Sequence, residues 1–272
     1  MILGQDHMLD VDDDGMRDGG RGWNAVNPGS DVKNWFSMEG ETQNCKSVIS
    51  DRSHILVGIS PFNSRFSPEY VRCLLSWGRQ SFTRMDVLVP DEDSAVMLLV
   101  AHGMATGKAR RKVRKELGRH HRVLDELLHC RGWSHDVTVH EFADFRATEL
   151  YRQSVRSAED AFKVNEEFKH ACVFMVKQAI AGSSDKAGAN RINVSDEIAE
   201  IALPYVFSEL PFYTDSAGLL GVESSVLAYH RSWPVSRLLH SGEVPVRVSA
   251  RQAHGIVRIL PSLAAKSAGG RL

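Results

Sequence analysis

Short apolar runs rich in β-branched residues, separated by helix-length amphipathic segments, constrain this chain more than any other feature. Residues 54–60 and 85–89 are two such runs, each followed by a proline, Pro61 and Pro90. Residues 136–140, 225–230 and 255–260 read the same way. Strands that are apolar on both sides belong to sheets covered on both faces. Between the first two runs, Ser67, Pro68 and Glu69 supply a cap, a proline at the first helical position and an early acid. Val71, Leu74 and Leu75 then recur at helical spacing. Further helices are expected through residues 95–101, along residues 108–128, from an N-cap at Thr148 to about residue 181, and over residues 195–210, the last kinked by Pro204. This alternation predicts an α/β fold with a mainly parallel sheet. In such sheets the chemistry sits at the carboxyl ends of strands. Ser60 ends the first run, and Tyr229 and His230 end the fourth.

Length and composition narrow the options. At 272 residues the chain suits one large domain or two small ones. With 43% hydrophobic and 25% charged residues it is an ordinary globular sequence. No apolar run reaches about 18 residues, so no membrane partner is expected. The acidic start, MILGQDHMLDVDDDG, lacks a basic-then-apolar leader, and a cytoplasmic location is the default. Residues 1–50 hold nine acids and four bases and are rich in Gly, Asp and Asn. They read as a mobile acidic arm, with order beginning near His54, a domain over residues 51–262 and a frayed tail over residues 263–272. The four cysteines stand far apart, with no CxxC pair, and read as reduced thiols.

Net charge is −1, but it is unevenly spread. Residues 108–122 carry Lys108, Arg110, Arg111, Lys112, Arg114, Lys115, Arg119 and Arg122 against the single acid Glu116. Val113, Leu117, Leu124 and Leu128 form the apolar stripe of the same helix, so the bases face outward. A positive stripe on a neutral protein points to a polyanionic partner.

Familiar motifs fail. Gly103-Met-Ala-Thr-Gly107-Lys108 is one residue short of a P-loop, and Ala109 replaces the hydroxyl that would hold magnesium. Gly58-Ile-Ser60-Pro-Phe62 has phenylalanine where a nucleophile elbow needs its second glycine. His120, His121, His129, His135 and His140 show no zinc-ligand spacing, and no metal is expected.

Three longer motifs, in order, resemble the cyclodipeptide synthases. They are Gly58-Ile-Ser60-Pro-Phe-Asn63-Ser64-Arg-Phe66-Ser67, Tyr205-Val-Phe-Ser-Glu209-Leu-Pro211-Phe212 and Ser224-Ser225-Val-Leu-Ala-Tyr229-His230. Tyr151 falls where that family has a further tyrosine, before its long helix. Asn63, Tyr229 and His230 are similar to the Asn-Tyr-His branch. The resemblance covers about residues 54–260. It implies a Rossmann-like fold similar to the class I aminoacyl-tRNA synthetase catalytic domain. It also implies a tRNA-dependent aminoacyltransferase that joins two aminoacyl groups into a 2,5-diketopiperazine.

The implied catalytic group is Ser60, Tyr205, Glu209 and Tyr229. Ser60 would carry the first aminoacyl group, Tyr205 and Glu209 would grip its ammonium, and Tyr229 would relay protons. Gly58, Asn63, Tyr151 and His230 would bind substrate. By similarity, Leu56, Leu88, Met175 and Phe212 would line its side-chain pocket. The basic stripe would hold tRNA. An aminoacyl ester is already activated, so neither ATP nor a cofactor is expected, and the chain is read as a monomer. Two other readings stand beside this one: a non-catalytic tRNA-binding protein, and a serine esterase using His230 as base.

Overall fold

The computed structural model describes residues 32–130, 132–133, 136–184 and 194–261. Six strands form one sheet: β1 (Phe36–Gly40), β2 (His54–Gly58), β3 (Arg84–Val89), β4 (Val137–Glu141), β5 (Ser225–Tyr229) and β6 (Gln252–Ile259). Their order is β1-β6-β5-β2-β3-β4, parallel throughout except for β1, which runs antiparallel to β6. From β2 the chain winds outward through β3 and β4. It then crosses back to place β5 and β6 on the other side. The crevice between the carboxyl ends of β2 and β5 is therefore the topological switch point.

Helices cover both faces. On one side α1 (Gln43–Asp51), α2 (Pro68–Ser81) and the end of α4 (Thr106–Asp125) pack on Ile55, Val57, Met85, Val87, Val226 and Ala228. On the other, α3 (Glu92–Ala101), most of α4, α5 (Glu149–Val164), α6 (Glu166–Ser184), α7 (Asp196–Leu220) and α8 (Pro234–Ser241) enclose Leu56, Leu88 and Leu227. The two-residue period of β2 thus sends Leu56 to one core and its neighbours Ile55 and Val57 to the other. Ser67 caps α2 by accepting the Tyr70 N–H, with Pro68 in the first turn, as the sequence predicts. Cys45, Cys73 and Cys172 are buried free thiols.

Four expectations need correction. Order begins well before His54: Val32, Trp35, Phe36, Cys45, Val48 and Ile49 are buried, and β1 and α1 belong to the domain. An acidic, glycine-rich composition hid a strand whose pairing partner, β6, lies more than 200 residues away. Residues 1–31 and 262–272 lie outside the described residues. The long helix from Thr148 is two helices: Asn165 adopts extended angles, and its side chain accepts the Phe168 N–H to start α6. Helix α6 reaches Ser184, into the expected loop at residues 182–193, of which residues 185–193 lie outside the described residues. Finally, α7 runs ten residues past its expected end. It contains both Pro204 and Pro211, and bends at Asp215, whose carboxylate accepts the Gly218 N–H and restarts the last turn.

Candidate active site

Ser60 stands two residues past β2. The Ile59 N–H still bonds the Leu88 carbonyl at 2.9 Å, so Ser60 is the first residue released from the sheet. A tight turn follows, in which the Ser60 carbonyl accepts the Asn63 N–H at 3.4 Å and the Asn63 carbonyl accepts the Phe66 N–H at 3.1 Å. Ser60 stays partly exposed while its neighbours Ile59, Pro61 and Phe62 are buried, which leaves a strand-end hydroxyl open to a substrate.

Across the switch point, β5 delivers Tyr229 and His230. The side chain of Asn63 ties the two loops together, and its orientation is determined by its partners. Oδ1 accepts the Arg65 backbone N–H at 3.0 Å, so Nδ2 is the donor. Nδ2 faces the Tyr229 hydroxyl at 3.4 Å and His230 Nε2 at 3.3 Å. His230 Nε2 must then accept, which puts the imidazole proton on Nδ1. That nitrogen is buried and has no hydrogen-bond partner among the described residues. Burial, reinforced by Arg65 and Arg231, holds the His230 pKa well below its ordinary value, so the ring is neutral.

Helix α7 supplies the third wall. Tyr205 and Glu209 are one turn apart on one face, and Tyr213 follows one turn later. Burial, and then the charge of Glu209, raises all three phenols: Tyr205, Tyr213 and Tyr229, the last to about 12. Ser60 pulls the acidity of Tyr205 and Tyr229 partly back, which places its hydroxyl beside both phenols. At neutral pH these are protonated phenols that relay hydrogen bonds, not phenolate bases. Glu209 keeps some contact with solvent, as a pocket wall does, yet burial alone pushes its carboxyl to about 7. A carboxyl poised there is a base matched to neutral pH.

Tyr151 is buried, and its hydroxyl donates to the Ser208 carbonyl at 2.9 Å, bracing α5 against the turn of α7 that holds Glu209. Leu56, Leu88, Met175 and Phe212 are all buried in the core cluster that also contains Tyr151 and Tyr205. A methyl at Gly58 would meet the Tyr229 ring at 3.9 Å, an ordinary contact, so the position is open to the pocket rather than needed for packing. Tyr213 was missed by sequence reasoning. The spacing of four that links Tyr205 to Glu209 extends to it and was the available signal.

The basic helix α4 buries Ala109, Val113, Leu117, His120, Val123 and Leu124; Leu128, expected on that stripe, is only partly buried in the π-helical turn that follows. Three of its bases are committed locally. Arg110 pairs with Glu92 and Asp93 at 3.0 and 2.9 Å, Arg114 with Glu92 at 2.7 Å, and Arg119 with Glu116 at 3.0 Å. The uniform stripe read from the sequence is thereby corrected, because acids on α3 reach across to it. Lys108, Arg111, Lys112, Lys115 and Arg122 show no carboxylate partner among the described residues. Lys112 Nζ lies 5.9 Å from the centre of the Phe62 ring, next to the Ser60 turn.

Two surface recesses, of ≈ 610 and ≈ 570 Å³, lie elsewhere, one lined by Asn44 and residues 239–250, the other by Met38, Lys46 and Arg52 with their neighbours. Neither joins a carboxyl to a phenol and a hydroxyl. A Ser225–His54–Asp86 chain does exist, with contacts of 2.9 and 3.2 Å, but all three residues are fully buried at the amino-terminal side of the sheet. It is a structural network. No carboxylate stands behind His230 among the described residues, which removes the physical basis for an esterase triad there.

A largely parallel α/β sheet that brings a strand-end serine, two phenols and a largely buried carboxyl to its switch point has the groups that acyl transfer requires. The family described as Cyclodipeptide synthase matches residues 36–259, and the chain belongs to that family. A cyclo(L-leucyl-L-leucyl) synthase from Photorhabdus laumondii is 40% identical over 223 residues, covering 82% of this chain and 95% of that protein. The crystal structure of a cyclodipeptide synthase from Bacillus thermoamylovorans matches with a TM-score of 0.79 at 34% identity, over 84% of this chain and 98% of that one. A Mycobacterium tuberculosis protein, whose structure relates cyclodipeptide synthetases to type I tRNA synthetases, matches at 0.70 and 25% identity, over 84% and 95%. The Rossmann-like, synthetase-related fold expected from the sequence is the fold observed. The chain is an aminoacyltransferase of this family. No helix among the described residues is long and apolar enough to cross a membrane.

Proposed function

We propose that the protein joins two aminoacyl groups by ping-pong transfer through Ser60, drawing both from aminoacyl-tRNA. The Ser60 oxygen attacks the ester carbonyl of the first substrate. The ester bond to the ribose breaks, the serine proton passes to the ribose oxygen, and tRNA leaves. Tyr205 and Glu209 hold the substrate ammonium over Ser60. Glu209 then takes a proton from that ammonium, and the freed amine attacks the second aminoacyl ester; the ester bond to the ribose breaks, the amine's proton passes to the ribose oxygen, and the second tRNA leaves. A dipeptide now hangs from Ser60. Glu209, having returned its first proton to solvent, takes one from the new terminal ammonium; the amine attacks the Ser60 ester, the ring closes, and the amine's proton reaches the serine oxygen through Tyr229. Two charged tRNAs thus yield one diketopiperazine and two free tRNAs.

The observation that carries this reading is the convergence at the switch point of Ser60, two protonated phenols whose acidity Ser60 alters, and a carboxyl with a pKa of about 7. No ATP is required, because the ester supplies the energy. The unpaired bases of α4 position tRNA through its phosphates without reading its sequence. The substrate side chain rests on Leu56, Leu88, Met175 and Phe212. With no polar group in that set, and with the Photorhabdus relative named for cyclo(L-leucyl-L-leucyl), leucine is the amino acid we assign to both positions. The protein acts as a monomer in the cytoplasm, where charged tRNA is made.

Expression in a bacterial host with mass spectrometry of the medium tests the activity and names the product. Cyclo(Leu-Leu) is expected from the parent and none from Ser60→Ala. Intact-mass analysis with leucyl-tRNA should show one leucyl adduct on the parent and none on Ser60→Ala. A diketopiperazine still made by the alanine variant would refute the covalent route.

A further inference from the structure

Two arginines stand beside the Ser60 group without an assigned task. Arg65 leaves the same turn as Asn63, and Arg231 follows His230 at the end of β5. Asn63 ties their loops together, accepting the Arg65 N–H at 3.0 Å and meeting His230 Nε2 at 3.3 Å, so Arg65 and Arg231 flank His230, and both charges oppose protonation of that ring. The Arg231 guanidinium sits 3.8 Å from the centre of the Trp233 ring, which is itself 6.0 Å from the ring of Tyr229. Its Nε is buried with no hydrogen-bond partner among the described residues. Arg65 is exposed, and its guanidinium carries five donors.

Neither arginine pairs with a carboxylate among the described residues. Glu41 is occupied by Ser232, Ser236 and His254. Glu209 responds to burial alone, so neither guanidinium neutralises it. Two guanidiniums and a neutral imidazole whose buried Nδ1–H has no partner among the described residues stand at the carboxyl end of parallel strands, a set of donors suited to an anion.

The chemistry of the substrate identifies that anion. Once esterified, the amino acid has no carboxylate, and its amine is cationic. The neighbouring negative charge is the phosphodiester of the 3′-terminal nucleotide. The geometry points to Arg65 and Arg231 as a clamp for this phosphodiester, with His230 Nδ1–H as an accessory donor. The site then has a polarity: ammonium toward Glu209, phosphate toward the arginines, ester between them over Ser60. A reversed substrate meets repulsion at both ends. This inference rests on the proposed use of aminoacyl-tRNA and adds a contact that the basic helix does not make.

The test compares two leucyl esters, one of adenosine, which has no phosphate, and one of the trinucleotide CCA, which has two phosphodiesters. Ser60 acylation is followed by intact mass in the full-length protein. The parent is expected to prefer the CCA ester. That preference, expressed as a rate ratio, should fall about tenfold or more in Arg231→Gln and in Arg65→Gln, the loss expected for a charge-assisted hydrogen bond. Arg231→Lys should keep part of it. An unchanged ratio in both glutamine variants overturns the clamp and leaves the Ser60 chemistry standing. If Arg231→Gln does not fold, the exposed Arg65 decides the matter alone. Absence of any adduct on the parent with either ester or with leucyl-tRNA overturns the clamp and the covalent reading together.

Discussion

Glu209 has two tasks that pull its acidity in opposite directions: gripping a cation favours the carboxylate, while burial favours the acid. Burial wins in the free protein, which raises the carboxyl from 4.5 to about 7. A raised pKa stabilises the fold fully below the unfolded value. That contribution is lost as pH climbs through the folded one. Glu209→Gln removes the titration. The variant should match the parent near pH 4 and be more stable at pH 8, by up to about 3 kcal/mol, as read by thermal melts across that range. Activity should move the other way, with amine deprotonation impaired in the glutamine variant. Equal melting profiles at both pH values would mean that Glu209 is not buried as described. Asn63 shows how much one side chain can determine. A single backbone N–H orients its amide, and the amide then sets the tautomer of His230 and satisfies Tyr229.

Single elements differ in how clearly they were legible. Helix α2 was readable because cap, proline and early acid are local and all agree. Strand β1 was not, since five residues with a mixed pattern acquire strand character only by pairing with β6 and packing Phe36 against Tyr70 and Trp77, at 5.9 and 5.6 Å. The basic helix falls between. Its amphipathic period was plain, but the ion pairs that withdraw Arg110 and Arg114 come from α3. This distinction is measurable. Replacing Arg111, Lys112 and Lys115 together by Gln should raise the KM for charged tRNA and flatten its salt dependence by about three counterions. Replacing Arg110 and Arg114 should do much less to the salt slope. A larger slope change from the second pair would reverse the assignment.

At the scale of the whole molecule, the two ends of the sheet do different work. The amino-terminal side is sealed by Asp86, which meets His54 at 3.2 Å, Arg84 at 3.1 Å and His140 at 3.7 Å, and accepts the Thr138 N–H at 3.1 Å. Burial works against its charge, but the bonds from His140 and His54 outweigh it and hold the carboxyl well below its ordinary range. Its stabilisation is therefore present above the unfolded carboxyl pKa and is lost as pH falls below it. Asp86→Ala should cost about 3 kcal/mol in denaturant melts at pH 7, because it strands buried donors, and the difference should shrink in acid. The carboxyl-terminal side stays open, and there Ser60, Tyr229 and the α7 stripe converge.

The sequence by itself determined the strand–helix alternation, the caps and the order of the three motifs, since these depend on neighbours along the chain. Tertiary structure alone decided that the Tyr205–Glu209–Tyr213 stripe of α7 comes to Tyr229 of β5, that α3 acids silence part of the basic stripe, and that Arg65 and Arg231 flank His230 with no carboxylate partner among the described residues. Those outcomes turn on distances between segments far apart in the chain, and electrostatics and burial act through space.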